Sequence, residues 1–205
     1  MEQKHILPTG ILGGAGLTRD SIRSRLAARP IGMRGNGVDD GRNTPAAVLV
    51  ALVDRPEGWF VLFTLRSADL ADHAGQISFP GGRIDPEDEN EDAAALREAE
   101  EEIGLPRDHV EIVGRLDTWV SGTGFIITPV VGLVRPVAHL VPSPVEVAEI
   151  FEVPLDFILD KNNHQRRSRE LGGQQRHFWA VPYEHRNIWG ATAGILVNLA
   201  EALTG

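Results

Sequence analysis

Residues 79–105 read FPGGRIDPEDENEDAAALREAEEEIGL. A glycine pair leads into an acidic loop, then into a helix-forming run that stops at Gly104. Ten acids and a single base, Arg97, lie between Asp85 and Glu102. Like charges at helical spacing repel, so a run this acidic needs a reason. Set on a helix at about 100° per residue with Glu98 at zero, Glu101 and Glu102 fall at about 300° and 40°. These three share one arc. Leu96, Ala99 and Ile103 form a separate apolar stripe, and Glu100 falls near 200°, away from the triplet. The sequence therefore divides four glutamates into three that converge and one that does not.

Three convergent carboxylates are costly unless a cation sits among them. Hard oxygen donors suit Mg²⁺ or Mn²⁺, and Gly81–Gly82 can bring backbone close to the same place. The local chemistry is that of a metal-assisted phosphoryl site. A solvated acidic face is the plainer alternative. The segregation of the triplet and the glycine pair upstream weigh against it.

The rest of the chain bounds the setting. With 205 residues, 42% apolar and 24% charged, it has enough material for one well-cored domain with a small extension. A net charge of −9 argues against nonspecific nucleic-acid binding and leaves polyphosphate substrates open, because metal ions invert the local sign. The absence of cysteine removes disulfides, zinc–thiolate sites and cysteine nucleophiles. No signal-peptide pattern and no membrane-length apolar run is present, which sets the expectation of a cytoplasmic protein.

Along the chain, 18–29 predicts a short helix capped by Thr18 or Asp20, and 30–45 a loop rich in Gly, Asn and Asp. The apolar runs 46–53 and 58–66 predict paired strands around a turn. A short strand over 76–82, a polar loop over 83–91 and the acidic helix over 92–103 follow. Strands are expected over 109–120 and 125–134. Residues 145–159 read as a helix or strand followed by a short helix. After a polar loop come a strand over 176–184 and an amphipathic helix over 188–203. This mixture without regular βαβ alternation predicts an α+β fold. The expected division is an N-terminal extension over 1–43, available to cover the domain or meet a second subunit in a homodimer, and a catalytic domain over 44–205.

The acidic stretch resembles the Nudix box, with Glu89, Arg97, Glu98, Ala99, Glu101, Glu102, Gly104 and Leu105 in the matching places. The box's opening glycine departs by one position, since the count back from Glu89 lands on Arg83 and Gly82 lies one residue earlier. Upstream, LFTLRSADLADHAGQISFPGG (62–82) resembles the motif of the coenzyme A pyrophosphatase branch. Leu62, Thr64, Arg66, Ser67, Gly75, Phe79, Pro80, Gly81 and Gly82 match. Phe63 replaces a leucine, and Ala71 stands where the branch carries a second arginine.

The resemblance implies the Nudix α/β/α sandwich with a mixed sheet. It implies a Mg²⁺- or Mn²⁺-dependent diphosphatase that splits coenzyme A or acyl-CoA into phosphopantetheine and 3′,5′-ADP. Glu98, Glu101 and Glu102 would hold the metal, Arg97 would orient the glutamates, and one helix glutamate or a later acid would activate water. Glu89 and Glu146 are candidates for an additional acid. Arg66, Gly81, Gly82, Arg83 and His73 are candidates for substrate contact. The departure at Ala71 keeps ADP-ribose, NADH or a nucleoside triphosphate as alternative substrates. A non-catalytic nucleotide-sensing module would be expected to lose box glutamates, and all three are present. Trp119, Trp179 and Trp189 read as core, and the seven histidines show no ligand spacing.

Overall fold

The computed structural model describes residues 16–70, 73–135, 139–171 and 173–205. Helix α1 (Arg19–Ala27) is capped by Thr18, whose hydroxyl accepts the Ser21 N–H at 3.1 Å. Strand β1 (Met33–Gly35) lies within the segment expected to be loop. The long strand β2 (Thr44–Arg55) and β3 (Gly58–Arg66) form the expected antiparallel hairpin. Two short strands follow, β4 (Ile77–Ser78) and β5 (Gly81–Arg83). Helix α2 (Glu91–Ile103) starts one residue earlier than expected, because the Asn90 side chain accepts the Ala93 N–H and caps it. Gly104 closes the helix in the left-handed region at φ 64°.

The expected strand over 109–120 is two, β6 (Val110–Arg115) and β7 (Thr118–Val120). The break falls at Leu116 and Asp117. Strand β8 (Phe125–Val134) follows, then β9 (Val147–Pro154) and the short helix α3 (Leu155–Leu159). Strands β10 (Gln165–Leu171) and β11 (Gln174–Tyr183) form a hairpin where β10 was expected to be loop. Residues 188–189 end strand β12 (Arg186–Trp189) rather than opening the last helix. That helix, α4, spans Gly190–Thr204.

The main sheet runs β1-β7-β8-β2-β3-β4, with β5 on β2, β6 on β8 and β9 on β3. Its β2–β8 and β1–β7 pairings are parallel and the others antiparallel, so the sheet is mixed. The apolar run on β2 explains how helices cover both faces. Ala47, Leu49, Ala51 and Val53 pack with Ala94, Ala95, Ala99 and Ile103 of α2. Val50 and Leu52, on the other face, join Ile22 of α1, Ile158 of α3 and Leu196 and Leu199 of α4. Alanines on α2 let that helix approach the sheet closely. Ile188, read as part of the last helix, is buried from β12 instead. Among the described residues no helix is long and apolar enough to cross a membrane.

Asp117, at the break between β6 and β7, ties the N-terminal segment to the last helix. It accepts from Arg29 at 2.6 Å, Arg34 at 2.5 Å, the Gly32 N–H at 2.8 Å and Asn198 of α4 at 3.1 Å. Burial alone would raise its carboxyl, but the Gly32 amide and the two arginines prevail and hold it below the usual range. Its stabilising contribution is therefore complete above the ordinary aspartate value of about 4 and is lost as pH falls through the lower folded value. Asp117→Ala should cost about 3 kcal/mol by leaving the partly buried Arg29 without its ion pair and Arg34 with Glu201 alone. Thermal melts followed by circular dichroism at about pH 7 and about pH 3 should show less acid destabilisation in Asp117→Asn than in the native chain.

Candidate active site

The acidic face of α2 lies against β5, and the glycine pair is what allows it. Gly81 and Gly82 pair with Val48 and Ala47 of β2. Gly81 has φ +151°, and a Cβ there would stand 2.4 Å from the Ala47 carbonyl oxygen. A Cβ on Gly82 would stand 2.5 Å from a carboxylate oxygen of Glu98. Each glycine thus admits a different neighbour, the first the strand backbone and the second the carboxylate.

Arg97 gathers the acids. Its guanidinium donates to Asp88 at 3.0 and 2.9 Å, to Glu98 at 3.1 Å, to Glu101 at 3.0 Å and to the Arg83 carbonyl at 3.0 Å. The bond to Asp88 is the main reason its pKa is raised. Asp88 in turn sits below the usual carboxylate range because of Arg97. This ties the acidic loop to the helix.

Glu102 is the innermost acid, 4% exposed. It accepts the Gly81 N–H at 3.3 Å and faces Arg66 Nη1 at 3.7 Å. Burial pushes its carboxyl up to about 7 against the opposing pull of Arg66 and the Gly81 amide, with Glu98 and Glu146 adding repulsion. Glu98, 16% exposed, is likewise raised, first by burial, with Arg97 opposing. Glu101 is 60% exposed.

Glu146 reaches this cluster through backbone docking. The Ser143 N–H donates to the Glu102 carbonyl at 2.7 Å, and the Ser67 N–H donates to the Glu146 carbonyl at 2.8 Å. Its charge adds to the raising of both Glu98 and Glu102.

The predicted site residues separate as follows. Glu98, Glu101, Glu102, Arg97, Arg66, Gly81 and Gly82 are brought together, and Glu146 joins them. Glu100 points away and pairs with Arg107 at 2.8 Å. Glu89 is exposed, and Asp88 takes the place beside Arg97. His73 is exposed with φ +58° and bonds Gln76 at 3.0 Å. The Arg83 guanidinium lies over the Phe125 ring at 5.8 Å, while its carbonyl meets Arg97. Ala71 lies outside the described residues. Asp88 was missed by spacing, because Glu89 holds the motif position. The signal available was the one-residue lengthening of the loop.

The model matching this chain is that of the NUDIX domain, over residues 43–170. The chain belongs to the Nudix family. A protein of Photorhabdus laumondii named "Uncharacterized Nudix hydrolase NudL" is 43% identical over 159 residues, covering 78% of this chain and 84% of that protein. Its namesake in Citrobacter koseri is 44% identical over 155 residues, covering 76% and 80%. The crystal structure of the M. smegmatis Nudix hydrolase RenU is 27% identical and covers 62% of this chain and 75% of that one, with a TM-score of 0.44. The family match makes the fold the Nudix fold with its mixed sheet, as expected, and the chain a Nudix hydrolase.

Nudix hydrolases generally use divalent metal ions such as Mg²⁺ or Mn²⁺ and act on small nucleotide diphosphates. The donor set here is all carboxylate oxygen, which fits such hard cations. A cation among them would also relieve the repulsion that adds to the burial-driven rise of Glu98 and Glu102. Among the described residues, no three His, Asp or Glu side chains are arranged around one metal position. Glu98 and Glu101 are instead turned onto Arg97.

The two glycines should fail differently. Gly81→Ala should lower thermal stability by about 2 kcal/mol or more, because the backbone cannot yield. Gly82→Ala should leave melting nearly unchanged, since the Glu98 carboxylate is the movable end of a side chain, yet cut turnover about 100-fold by misplacing it. Parallel melting and activity measurements on both variants check this.

Proposed function

We propose that this Nudix hydrolase cleaves the diphosphate of coenzyme A or acyl-CoA, releasing phosphopantetheine and 3′,5′-ADP. One observation carries the reading. The upstream segment 62–82 and the acidic helix meet at the helix carboxylates, where Glu102 accepts from Gly81 and faces Arg66 and Glu98 abuts Gly82. The two sequence motifs therefore support one site between them. Among the described residues the buried Arg66 Nε has no partner, which suits a group that receives an anionic oxygen on substrate binding.

Glu98, Glu101 and Glu102 would hold Mg²⁺ or Mn²⁺. When bound, the cation supplies charge neutralisation at the diphosphate and lowers the pKa of water. Arg97 orients Glu98 and Glu101 with its planar fork. Arg66 offers donors to a diphosphate oxygen. A carboxylate of the cluster, from α2 or Glu146, accepts a proton from water as the water oxygen bonds to phosphorus. The bridging oxygen departs with the other phosphate. Residues 44–205 form the hydrolase domain in this reading and 1–43 its extension, a boundary supported by the family match starting at residue 43. A cytoplasmic setting suits the cysteine-free chain.

Incubation with CoA, ADP-ribose, NADH and dNTPs, with Mg²⁺ or Mn²⁺, followed by mass spectrometry, should give phosphopantetheine as the dominant product. Dominance of ribose phosphate, a nucleotide monophosphate pair or pyrophosphate would shift the assignment to the corresponding substrate. No turnover of any compound would sink the reading.

Within the helix, Glu102→Gln should reduce kcat about 100-fold or more, while Glu100→Gln stays within about twofold. Equal losses in the two variants would refute the division of the glutamates. Mg²⁺ should raise the melting temperature of the native chain by mass action and raise that of Glu98→Gln less.

A further inference from the structure

An arginine side chain offers five N–H donors, and in Arg97 all of them are engaged. They divide into two sides. Nε and Nη2 form a fork onto the two carboxylate oxygens of Asp88, at 3.0 and 2.9 Å, and Nη2 also reaches the Arg83 carbonyl at 3.0 Å. Nη1 gives both of its donors to the helix, one to Glu98 at 3.1 Å and one to Glu101 at 3.0 Å. One edge of the guanidinium is thus tied to strand and loop. The other is tied to two of the glutamates read above as metal ligands.

The two sides differ in freedom. Glu98 and Glu101 hang from α2 on flexible stems, and the Glu101 side chain is 60% exposed. The Asp88 side chain is 6% exposed and is fixed by its own loop. Its N–H donates to the Asp85 carbonyl at 3.0 Å, and its carboxylate accepts the Asp85 N–H at 2.9 Å. Backbone and side chain therefore close the same turn. Arg83 is held by pairing with Ala46 of β2. The Asp85 carboxylate, 3.6 Å from Nη2, adds attraction on this same side.

A guanidinium held by Glu98 and Glu101 alone would follow them wherever they turned. Its charge would then stand where the three carboxylates of α2 converge and would oppose a second cation there.

We propose that Asp88 is a positioning residue: it keeps Arg97 on the loop side while Glu98 and Glu101 turn from Nη1 toward a divalent cation. The two glutamates exchange one positive partner for another, and the guanidinium neither follows them nor fills the cation's position. The cation site itself rests on the reading above. The role falls to Asp88 because Glu89, at the motif position, is exposed.

Mn²⁺ binding by the full chain, followed by electron paramagnetic resonance, tests this without turnover. Asp88→Asn keeps the shape of the side chain but removes its charge and one acceptor of the fork. It should bind Mn²⁺ about tenfold more weakly than the native chain. In an Arg97→Gln background the same substitution should change the affinity by less than about twofold, because Asp88 acts through Arg97. Glu89→Gln should stay within about twofold of the native affinity, as an exposed charge does. A measurement on the native chain needs no variant of Asp88 to fold. Saturating Mg²⁺ should leave the nuclear magnetic resonance signal of the Arg97 Nε–H in place and protected, since its bond to Asp88 is kept. The signal is assigned by its loss in Arg97→Gln.

Native affinity in Asp88→Asn overturns the proposal. So does an equal loss in the two backgrounds, which would mark a direct effect of the charge. An Nε–H signal that moves or exchanges away on adding Mg²⁺ overturns it as well, and a loss in Glu89→Gln equal to that in Asp88→Asn returns the anchor to the motif position. Glu102→Gln separates the proposal from the metal site. If that variant binds Mn²⁺ as tightly as the native chain, the site on α2 and the proposal fall together. If it binds weakly while Asp88→Asn binds normally, the proposal alone falls. None of these readouts depends on which diphosphate is cleaved, so failure of the coenzyme A assignment leaves the proposal standing.

Discussion

One guanidinium holds together the acidic end of this protein. Arg97 carries Asp88, Glu98 and Glu101 and anchors the Arg83 carbonyl. Without a cation at this point, the carboxylates of α2 and those of the preceding loop would repel one another. Arg97 therefore does more than pair with a neighbour one helical turn away, which on an open surface contributes little. It also fixes the register of the loop. The Asp85 N–H donates to Asp88 at 2.9 Å, closing the extra residue and turning Asp88, rather than Glu89, toward the helix.

The same end of the molecule depends on backbone with no side chain in the way. β2 is buried on both faces because α2 covers one and α1, α3 and α4 the other. β5 pairs along β2 and carries its two glycines directly under Glu98 and Glu102. The sheet thereby supplies a rigid floor, and the helix supplies acids of graded depth. Glu102 lies deepest and so loses most hydration, which is why its carboxyl rises furthest toward neutrality. Arg66, from β3, opposes that loss without abolishing it.

How much of this the chain discloses by itself depends on distance along it. The separation of Glu100 from the other three glutamates is a matter of helical phase, and local geometry settles it. The β2–β3 hairpin and the Gly104 stop are equally local. Strands β1 and β10 are polar and short of alternating apolar residues, so they resemble loop until a partner strand satisfies their backbone. The opening of α4 is displaced for the same reason, since pairing with β11 claims Ile188 and Trp189 for β12. Asp88 escapes notice because motif spacing points to its neighbour.

The distribution of charge gives these parts an order. In the proposed reaction a diphosphate would meet Glu98, Glu101, Glu102 and Glu146 on one side and Arg66 on the other, a balance that would be unfavourable until a divalent cation joined the acids. Cation and diphosphate would then strengthen each other's binding, and thermodynamic linkage would make the gain equal in both directions.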